Sequence, residues 1–289
     1  MAKISAAMVK QLREMTDAPM MECKKALVEA EGDLEKAVDV LRTMGIAKAV
    51  KRAGRDTNEG TIASYLSEDS RVGALLELSC ETDFVGTNPK FTAFARDLAK
   101  VVCESDPSDV EGLKGCAMDN ATVADKLTEM IHVIGENMKI TRFQRVSVKD
   151  GALSSYVHLG GKLADIVTFS FSNPGTAERD EFKTFAHDVA MQVAASAPVA
   201  AKREDVPTKT IEREKAIYIA QAADSGKPEA IREKIAEGKL EKLYKQIVLT
   251  EQVFIKDSSL TISELVKQAS TSCNDNIRIE GFVRFSFGE

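Results

Sequence analysis

Apolar side chains recur at helical spacing through the start of the chain, in three segments separated by short polar breaks. Ser5 and Asp33 stand where helix N-caps are preferred, before the first and third segments. Pro19 suits the start of the second helix, and Gly45 is expected to end the third. The inward-facing positions are Met8, Val9, Leu12, Met15, Cys23, Leu27, Ala30, Leu34, Ala37, Val38 and Leu41. The pattern predicts a three-helix bundle over residues 1–53.

Four cations follow the third helical segment, at Lys48, Lys51, Arg52 and Arg55. Runs of charge usually form solvated faces, so this stretch is interpreted as a helix end and a linker. A docking surface for a partner is the alternative interpretation, and the sequence leaves both open.

Beyond Gly60 the apolar pattern changes from helical spacing to that of β-strands. Residues 61–66 and 72–80 are predicted to be strands joined by a hairpin turn at 67–70, and residues 91–102 return to helical spacing. This order predicts a module that combines a β-hairpin with a helix.

The module occurs twice. A shift of 91 residues, without gaps, gives nine identities across positions 60–100. The identical positions in the first copy are Gly60, Ser64, Tyr65, Ser79, Phe91, Phe94, Ala95, Asp97 and Ala99. A repeat of this length predicts two related α+β subdomains. We therefore expect an α+β protein with a helical bundle (1–53), a first core subdomain (54–148) and a second core subdomain (149–289).

An insertion interrupts the second module. Residues 208–224 and 229–246 both show helical apolar spacing around the turn Ser225-Gly226-Lys227-Pro228, although Gly238 weakens the second helix. The segment 208–246 is therefore predicted to be an antiparallel helical hairpin. It is too polar to be buried on all sides, so we expect it to project. The chain closes with a predicted strand over residues 277–287.

Composition limits the classes of function. The formal net charge of the 289 residues is −6, whereas nucleic-acid-binding proteins usually carry a basic surface, so direct nucleic acid binding is not expected. The five cysteines are odd in number and form no C-x-x-C pair, which argues against disulfides and a zinc site and favours a reducing compartment. Residues 1–10 lack the apolar run of a signal peptide, and no stretch has the roughly 20 apolar residues of a membrane span. A cytoplasmic protein without membrane association is expected.

The chain lacks the motifs of common enzymes. Its three histidines, His132, His158 and His187, have no metal-ligand spacing, and neither a G-x-S-x-G motif nor a phosphate-binding loop occurs. Glu81 and Asp83 could serve as an acid–base pair of a hydrolase, which remains an alternative. The sequence favours a binding protein with no catalytic residues, no metal and no cofactor.

The loop after the second strand is the candidate binding site. It carries Thr82, Asp83, Phe84 and Val85, whereas the counterpart of Phe84 in the second copy is Gly175. Phe84 either packs into its own core or is an exposed aromatic anchor with Asp83 as its polar neighbour. Both interpretations remain open at this point.

Four segments resemble the elongation factor Ts family, in the same order and spacing. They are Met20 to Leu27 (MMECKKAL), Thr82-Asp83-Phe84-Val85, Ile134-Gly135-Glu136-Asn137 and Tyr156-Val157-His158. The resemblance extends over essentially the whole chain and is far more specific than one motif would be. Some members of the family continue into another helix after the last strand, and no contact of such a helix is expected here.

The resemblance implies an exchange factor that binds the GTPase elongation factor Tu, dislodges its Mg²⁺ and promotes release of GDP. It implies a bundle similar to a ubiquitin-associated domain, with Met21 and Lys24 in the contact, and a coiled-coil hairpin. It also implies that Thr82 to Val85 form the wedge, and that Ile134, Gly135 and His158 bind the partner. A protein that merely holds the GTPase is the alternative, and the oligomeric state stays open.

Overall fold

The computed structural model describes residues 4–223 and 228–289. Helices alternate with small antiparallel sheets, which confirms the predicted α+β class. Within the described ranges, no helix combines the length and apolar character needed to cross a membrane.

The helices of this part of the chain are α1 (Ala6–Thr16), α2 (Met20–Glu29), α3 (Leu34–Arg52), α4 (Asp83–Gly86), α5 (Pro89–Ser105), α6 (Val110–Gly115), α7 (Val123–Ile134), α8 (Asp180–Ser196), α9 (Thr208–Ala223), α10 (Glu229–Ile247) and α11 (Ile262–Cys273). The strands are β1 (Glu59–Leu66), β2 (Val72–Cys80), β3 (Ala117–Met118), β4 (Ala121–Thr122), β5 (Met138–Ser147), β6 (Gly151–Val157), β7 (Leu163–Ser170), β8 (Val253–Phe254), β9 (Asp257–Thr261) and β10 (Arg278–Ser286). Short 3₁₀ turns cover Leu159–Gly161, Pro174–Glu178, Arg203–Asp205 and Leu249–Glu251.

The first three helices pack around one small apolar cluster, as the spacing predicted. Ser5 caps α1 by accepting from the amide of Met8, and Asp33 caps α3 by accepting from the amides of Glu35 and Lys36. Each side-chain cap satisfies amides that have no partner inside the helix, which fixes where the helix starts.

The prediction that Gly45 ends the third helix is wrong. Helix α3 continues to Arg52, and Gly45 is buried against α7, where an added Cβ would lie 3.3 Å from His132 Cγ. The glycine therefore serves close packing rather than helix termination, and tertiary contact overrides its low helix propensity.

The basic stretch is partly a structural contact. Arg52 donates to the Ile131 carbonyl oxygen of α7 (3.0 Å), and Arg55 pairs with Glu81 of the first copy (3.3 Å). Lys51 is exposed. Neither a solvated linker nor a docking surface describes the stretch fully, because two of its cations tie the bundle to the core.

The first copy consists of a sheet of order β1-β2-β5 covered by α5 and α7. Phe91 and Phe94 of α5 are buried against β2, as the helical spacing predicted. The hairpin β3-β4 and helix α7 lie between α5 and β5, and they correspond to β8-β9 and α11 of the second copy.

The second copy repeats this arrangement as β6-β7-β10 covered by α8 and α11. Capping boxes start both later helices, at Thr122 and at Thr261, and left-handed residues Gly135 and Asn274 end them. These pairs are 139 residues apart rather than 91, because the helical hairpin is inserted between α8 and α11.

The two copies meet along their edge strands β1 and β6. Ser64 and Ser155 are repeat counterparts, and their hydroxyl oxygens lie 3.4 Å apart. A shared apolar cluster lies beside them, formed by Ile62, Leu75, Leu153, Ala164, Ile166 and Phe285. Contact between counterparts indicates that the copies are related by an approximate twofold axis.

Helices α9 and α10 pack on each other as the predicted hairpin, and Gly238 lies within α10. Of the predicted turn, Ser225 to Lys227 lie outside the described residues. At the base, Arg203 forms two hydrogen bonds to Glu241 (2.9 and 2.7 Å), bonds Glu251, and lies 4.3 Å from the centre of the Tyr244 ring. This arginine therefore holds the hairpin to the second copy.

Candidate partner-binding surface

Phe84 is exposed on a short helical turn directly after the central strand of the first copy. Its side chain is 83% exposed, so the interpretation of Phe84 as a core residue is wrong. Its neighbour Val85 packs on the apolar cluster of the first copy. Thr82 caps the turn by accepting from the Val85 amide, and Asp83 Oδ1 accepts from the Phe84 amide (2.9 Å). The local chain thus presents a large ring to solvent.

Glu136 fixes the base of this turn. Its carboxylate accepts from the amides of Glu81 (3.1 Å) and Thr82 (3.0 Å) and from the Thr82 hydroxyl (2.7 Å). Burial raises the pKa of the Cys80 thiol to about 12, so the thiol keeps its proton and donates to the Thr82 carbonyl oxygen. Three hydrogen bonds to the Glu136 side chain therefore hold the base of the turn.

The side chain of Glu81 connects the start of the turn to the residue that follows Glu136. Its side chain accepts from the Asn137 amide (2.6 Å) and pairs with Arg55. The Asn137 side chain donates to the carbonyl oxygens of Ala53 and Arg55. The Phe84 turn, the residues after α7 and the link to the bundle therefore form one hydrogen-bonded unit.

This geometry gives no support to the hydrolase alternative. Glu81 is engaged as a structural acceptor, whereas Asp83 is exposed on the turn. Neither residue lines the groove between the two copies or the cavities beside the bundle. No cluster of potential metal ligands occurs among the residues that the structure describes.

Met21 and Lys24 lie together on the outer face of α2. Met21 is 63% exposed, and Lys24 is exposed beside Val28, another exposed apolar residue. The opposite face of α2 carries Cys23 and Leu27, which are fully buried in the bundle. Helical spacing therefore separates a core face from an apolar and basic outer face.

The bundle is attached to the first copy through α7. Glu22, next to Met21, forms an ion pair with Lys48 of the bundle, and its Oε2 lies 3.3 Å from Nε2 of His132. Burial lowers the pKa of His132, although the Glu22 carboxylate opposes that shift. Packing of the imidazole against Gly45 completes the contact.

Ile134 and Gly135 end α7 beside this unit. Ile134 is half-buried on the core of the first copy, and Gly135 has a φ of 95°, in the left-handed region that favours glycine. This turn directs the chain so that Glu136 and Asn137 reach the Phe84 turn. The resemblance pointed to the first two residues of this motif, whereas the last two form the hydrogen bonds.

His158 lies exposed at the end of β6 in the second copy. Its Nδ1 is 3.3 Å from the Tyr156 hydroxyl. Among the described residues, no hydrogen bond or ion pair links His158, Met21 or Lys24 directly to the Phe84 turn. The structure thus brings together the segments around Phe84 and Ile134 and leaves the other candidates as separate exposed groups.

Sequence reasoning missed Glu136 and Asn137 as positioning residues, and it gave no role to His132. The only signal for the first two was the motif Ile134-Gly135-Glu136-Asn137. Their partners lie more than 50 residues away in sequence, so local spacing carries no information about the contact.

Comparison with known proteins gives consistent matches. The family model described as Elongation factor TS matches residues 81–289. Elongation factor Ts of Clostridium kluyveri is 44% identical over 289 residues, covering 99% of this chain and 93% of that protein. The proteins of the same name from Clostridium botulinum (strain Alaska E43 / Type E3) and Clostridium novyi are each 43% identical, with the same coverage. The similarity therefore extends over nearly the full length of both chains.

Proposed function

The chain belongs to the elongation factor Ts family of translation elongation factors, and we propose that it is the guanine nucleotide exchange factor of elongation factor Tu. The observation that carries the proposal is Phe84, 83% exposed on a turn that Glu136 holds. Exposed aromatic rings on rigid supports are typical anchors of protein interfaces, because they bury a large area at a low cost in conformational entropy.

The proposed layout assigns a role to each part of the chain. The bundle (1–53), similar to a ubiquitin-associated domain, contacts the GTPase through Met21 and Lys24. The first core subdomain (54–148) presents Thr82 to Val85 together with Ile134 and Gly135. The second (149–289) contacts another part of the GTPase through His158 and carries the projecting hairpin.

The mechanism needs no covalent chemistry. A GTPase holds GDP through backbone donors around the phosphates and through a bound Mg²⁺. We propose that Phe84 wedges between secondary-structure elements of the GTPase and displaces those that orient the ligands of its Mg²⁺. Loss of the metal leaves phosphate charge uncompensated, so GDP dissociates.

Thermodynamic linkage makes the effects of GDP and of the factor on each other reciprocal. If the factor weakens binding of GDP, then GDP weakens binding of the factor by the same ratio. GTP can then displace the factor, which becomes free to act again. The proposal therefore places a cytoplasmic factor without a cofactor in repeated cycles with its GTPase.

Release of fluorescent GDP from purified elongation factor Tu tests the proposal. An exchange factor accelerates release when present at a small fraction of the GTPase concentration, because each molecule acts repeatedly. A protein that only holds the GTPase would show at most a stoichiometric effect. Absence of any acceleration would overturn the proposed function.

A further inference from the structure

An open groove separates the two copies. It has a volume of about 620 Å³ and lies between β1 and α5 of the first copy and β6 of the second. Six lining residues carry hydroxyl groups, namely Thr61, Ser64, Tyr65, Thr87, Thr92 and Ser155. Arg96 is the one charged residue in the described lining, and no carboxylate is present there. The groove is thus locally positive in a chain of net charge −6.

Arg96 is available to a ligand. It is exposed on α5, and no hydrogen bond or ion pair engages it within residues 4–223 and 228–289. Its repeat counterpart is His187, whose ring packs edge-on against Tyr156 with 5.8 Å between the ring centres. The second copy therefore fills this position with an engaged side chain, whereas the first copy leaves a free guanidinium.

The groove connects two of the proposed contact elements. Thr87, which lines the groove, is the C-cap of the turn that carries Phe84. Gly160 and Gly161 also line the groove, and they follow His158 in the chain. A single partner that touched both Phe84 and His158 would lie over the groove between them.

On the basis of the proposed function, we infer that this groove binds a short, extended acidic segment of the GTPase, with one of its carboxylates paired to Arg96. A guanidinium presents two parallel donors that match the two oxygens of a carboxylate. The hydroxyl groups of Thr61, Thr87 and Thr92 already donate to carbonyl oxygens of this chain, so toward a bound segment their oxygens can act as acceptors of its backbone amides.

The test compares two charge reversals on the same helix. Arg96→Glu places a carboxylate in the groove, and Lys100→Glu makes the same charge change one turn further along α5, outside it. Both positions are exposed, and Lys100→Glu loses only an exposed pair with Glu104 (3.8 Å), so the melting temperature of either variant should change by no more than about a few degrees. Dissociation constants for elongation factor Tu of Clostridium kluyveri would be measured by titration at several salt concentrations.

We expect Arg96→Glu to weaken binding by about tenfold or more and to flatten its salt dependence, because a carboxylate pair is replaced by repulsion. Lys100→Glu should change the dissociation constant by no more than about twofold, the size expected of a distant exposed charge. Equal effects of the two variants, or no effect of Arg96→Glu, would overturn the inference.

The same titrations separate this inference from the proposed function. If the unaltered protein accelerates GDP release and Phe84→Ala abolishes that acceleration, but Arg96→Glu binds normally, the exchange function stands and the groove inference fails. If the unaltered protein neither binds the GTPase nor accelerates release, both proposals fail together.

Discussion

Glu136 of the first copy and Asp275 of the second are repeat counterparts, and each carboxylate accepts the two amides that open the loop after the central strand. Asp275 lies 3.0 and 2.9 Å from the amide nitrogens of Ser172 and Asn173. Burial alone would raise the pKa of Asp275, but hydrogen bonds from Thr176 and from these amides lower it to about 2. We call the two hydrogen bonds from the loop amides to this carboxylate the loop clamp. The loop clamp occurs in both copies and is therefore a feature of the repeated module. What distinguishes the first copy is the ring that the clamp presents.

Removing the clamp should impair exchange while Phe84 remains in place. Glu136→Ala leaves the amides of Glu81 and Thr82 without their acceptor, which costs about 2–3 kcal/mol of folding stability. Exchange per folded molecule should fall, because the ring is no longer held in one position. GDP release and urea unfolding, measured on the same sample, check both effects.

Asp275→Ala is the matched control for this variant. It removes the equivalent clamp from the second copy, so it should lower stability by a similar amount but leave exchange per folded molecule close to normal. Equal losses of exchange in the two variants would show that the effect follows stability and not the Phe84 turn.

Substitutions of two neighbouring residues on the turn should separate an effect on exchange from an effect on folding stability. Phe84→Ala removes an exposed ring, so the melting temperature should stay unchanged while exchange falls by about thirtyfold, equivalent to about 2 kcal/mol of coupling. Val85→Ala removes a half-buried side chain, so it should cost about 1 kcal/mol of stability with less effect on exchange. A Phe84→Ala protein with normal GDP release would contradict the wedge mechanism.

Much of the fold could be predicted because its signals are local. Helix caps, hairpin turns and helical spacing gave the bundle, the first strands of each copy and the inserted hairpin. The repeat was recognised only over residues 60–100, since the insertion changes the shift between copies from 91 to 139. An ungapped comparison therefore misses the correspondence of α7 with α11 and of β5 with β10.

The candidate site also combines a feature that the sequence could predict with contacts that it could not. The contrast between Phe84 and Gly175 pointed to an exposed ring, because the second copy folds without one. The clamp by Glu136 and the contact of Gly45 with His132 join distant segments, so spacing could not predict them. Gly45 misled the prediction because a glycine that permits close packing looks the same in sequence as one that ends a helix.

The bundle should contribute to binding more than to folding of the core. We expect residues 54–289 to unfold cooperatively on their own, because the bundle has a separate apolar cluster. Exchange should weaken, since Met21 and Lys24 are removed. The double variant Met21→Ser/Lys24→Ser of the full chain should reproduce the exchange defect with an unchanged melting temperature. A non-cooperative transition of the truncated protein would show that the boundary is wrong.

The distal hairpin should be dispensable for folding. Replacing residues 215–239 with a short Gly/Ser linker keeps Glu241 and Tyr244, the partners of Arg203 at the base. The melting temperature should change little, because the replaced segment packs mainly within the hairpin. Replacing all of 208–246 removes both partners and should destabilise the protein more. Equal melting temperatures for the two replacements would contradict a role for Arg203 in holding the hairpin.

Asp165 is a buried carboxyl without a counterpart in the first copy, where Ala74 occupies the position. It lies between Tyr156 of β6 and Arg284 of β10 in the strand register, and neither of its oxygens has a hydrogen-bond partner among the described residues. Burial raises the pKa of Asp165 to about 8, although the charge of Arg284 opposes the shift.

This buried carboxyl should make stability fall as pH rises. The folded state keeps the proton of Asp165 up to about pH 8, whereas an unfolded aspartate loses it near pH 4, so this group lowers stability by up to about 1.4 kcal/mol per pH unit in between. The stability gained by Asp165→Asn should therefore grow from pH 5 to pH 8 in urea titrations. Asp33→Asn is the control, because the Lys36 amide lowers the pKa of Asp33 and its effect should stay constant over this range. A constant effect of Asp165→Asn would show that the carboxyl is already ionised beside Arg284 at pH 5.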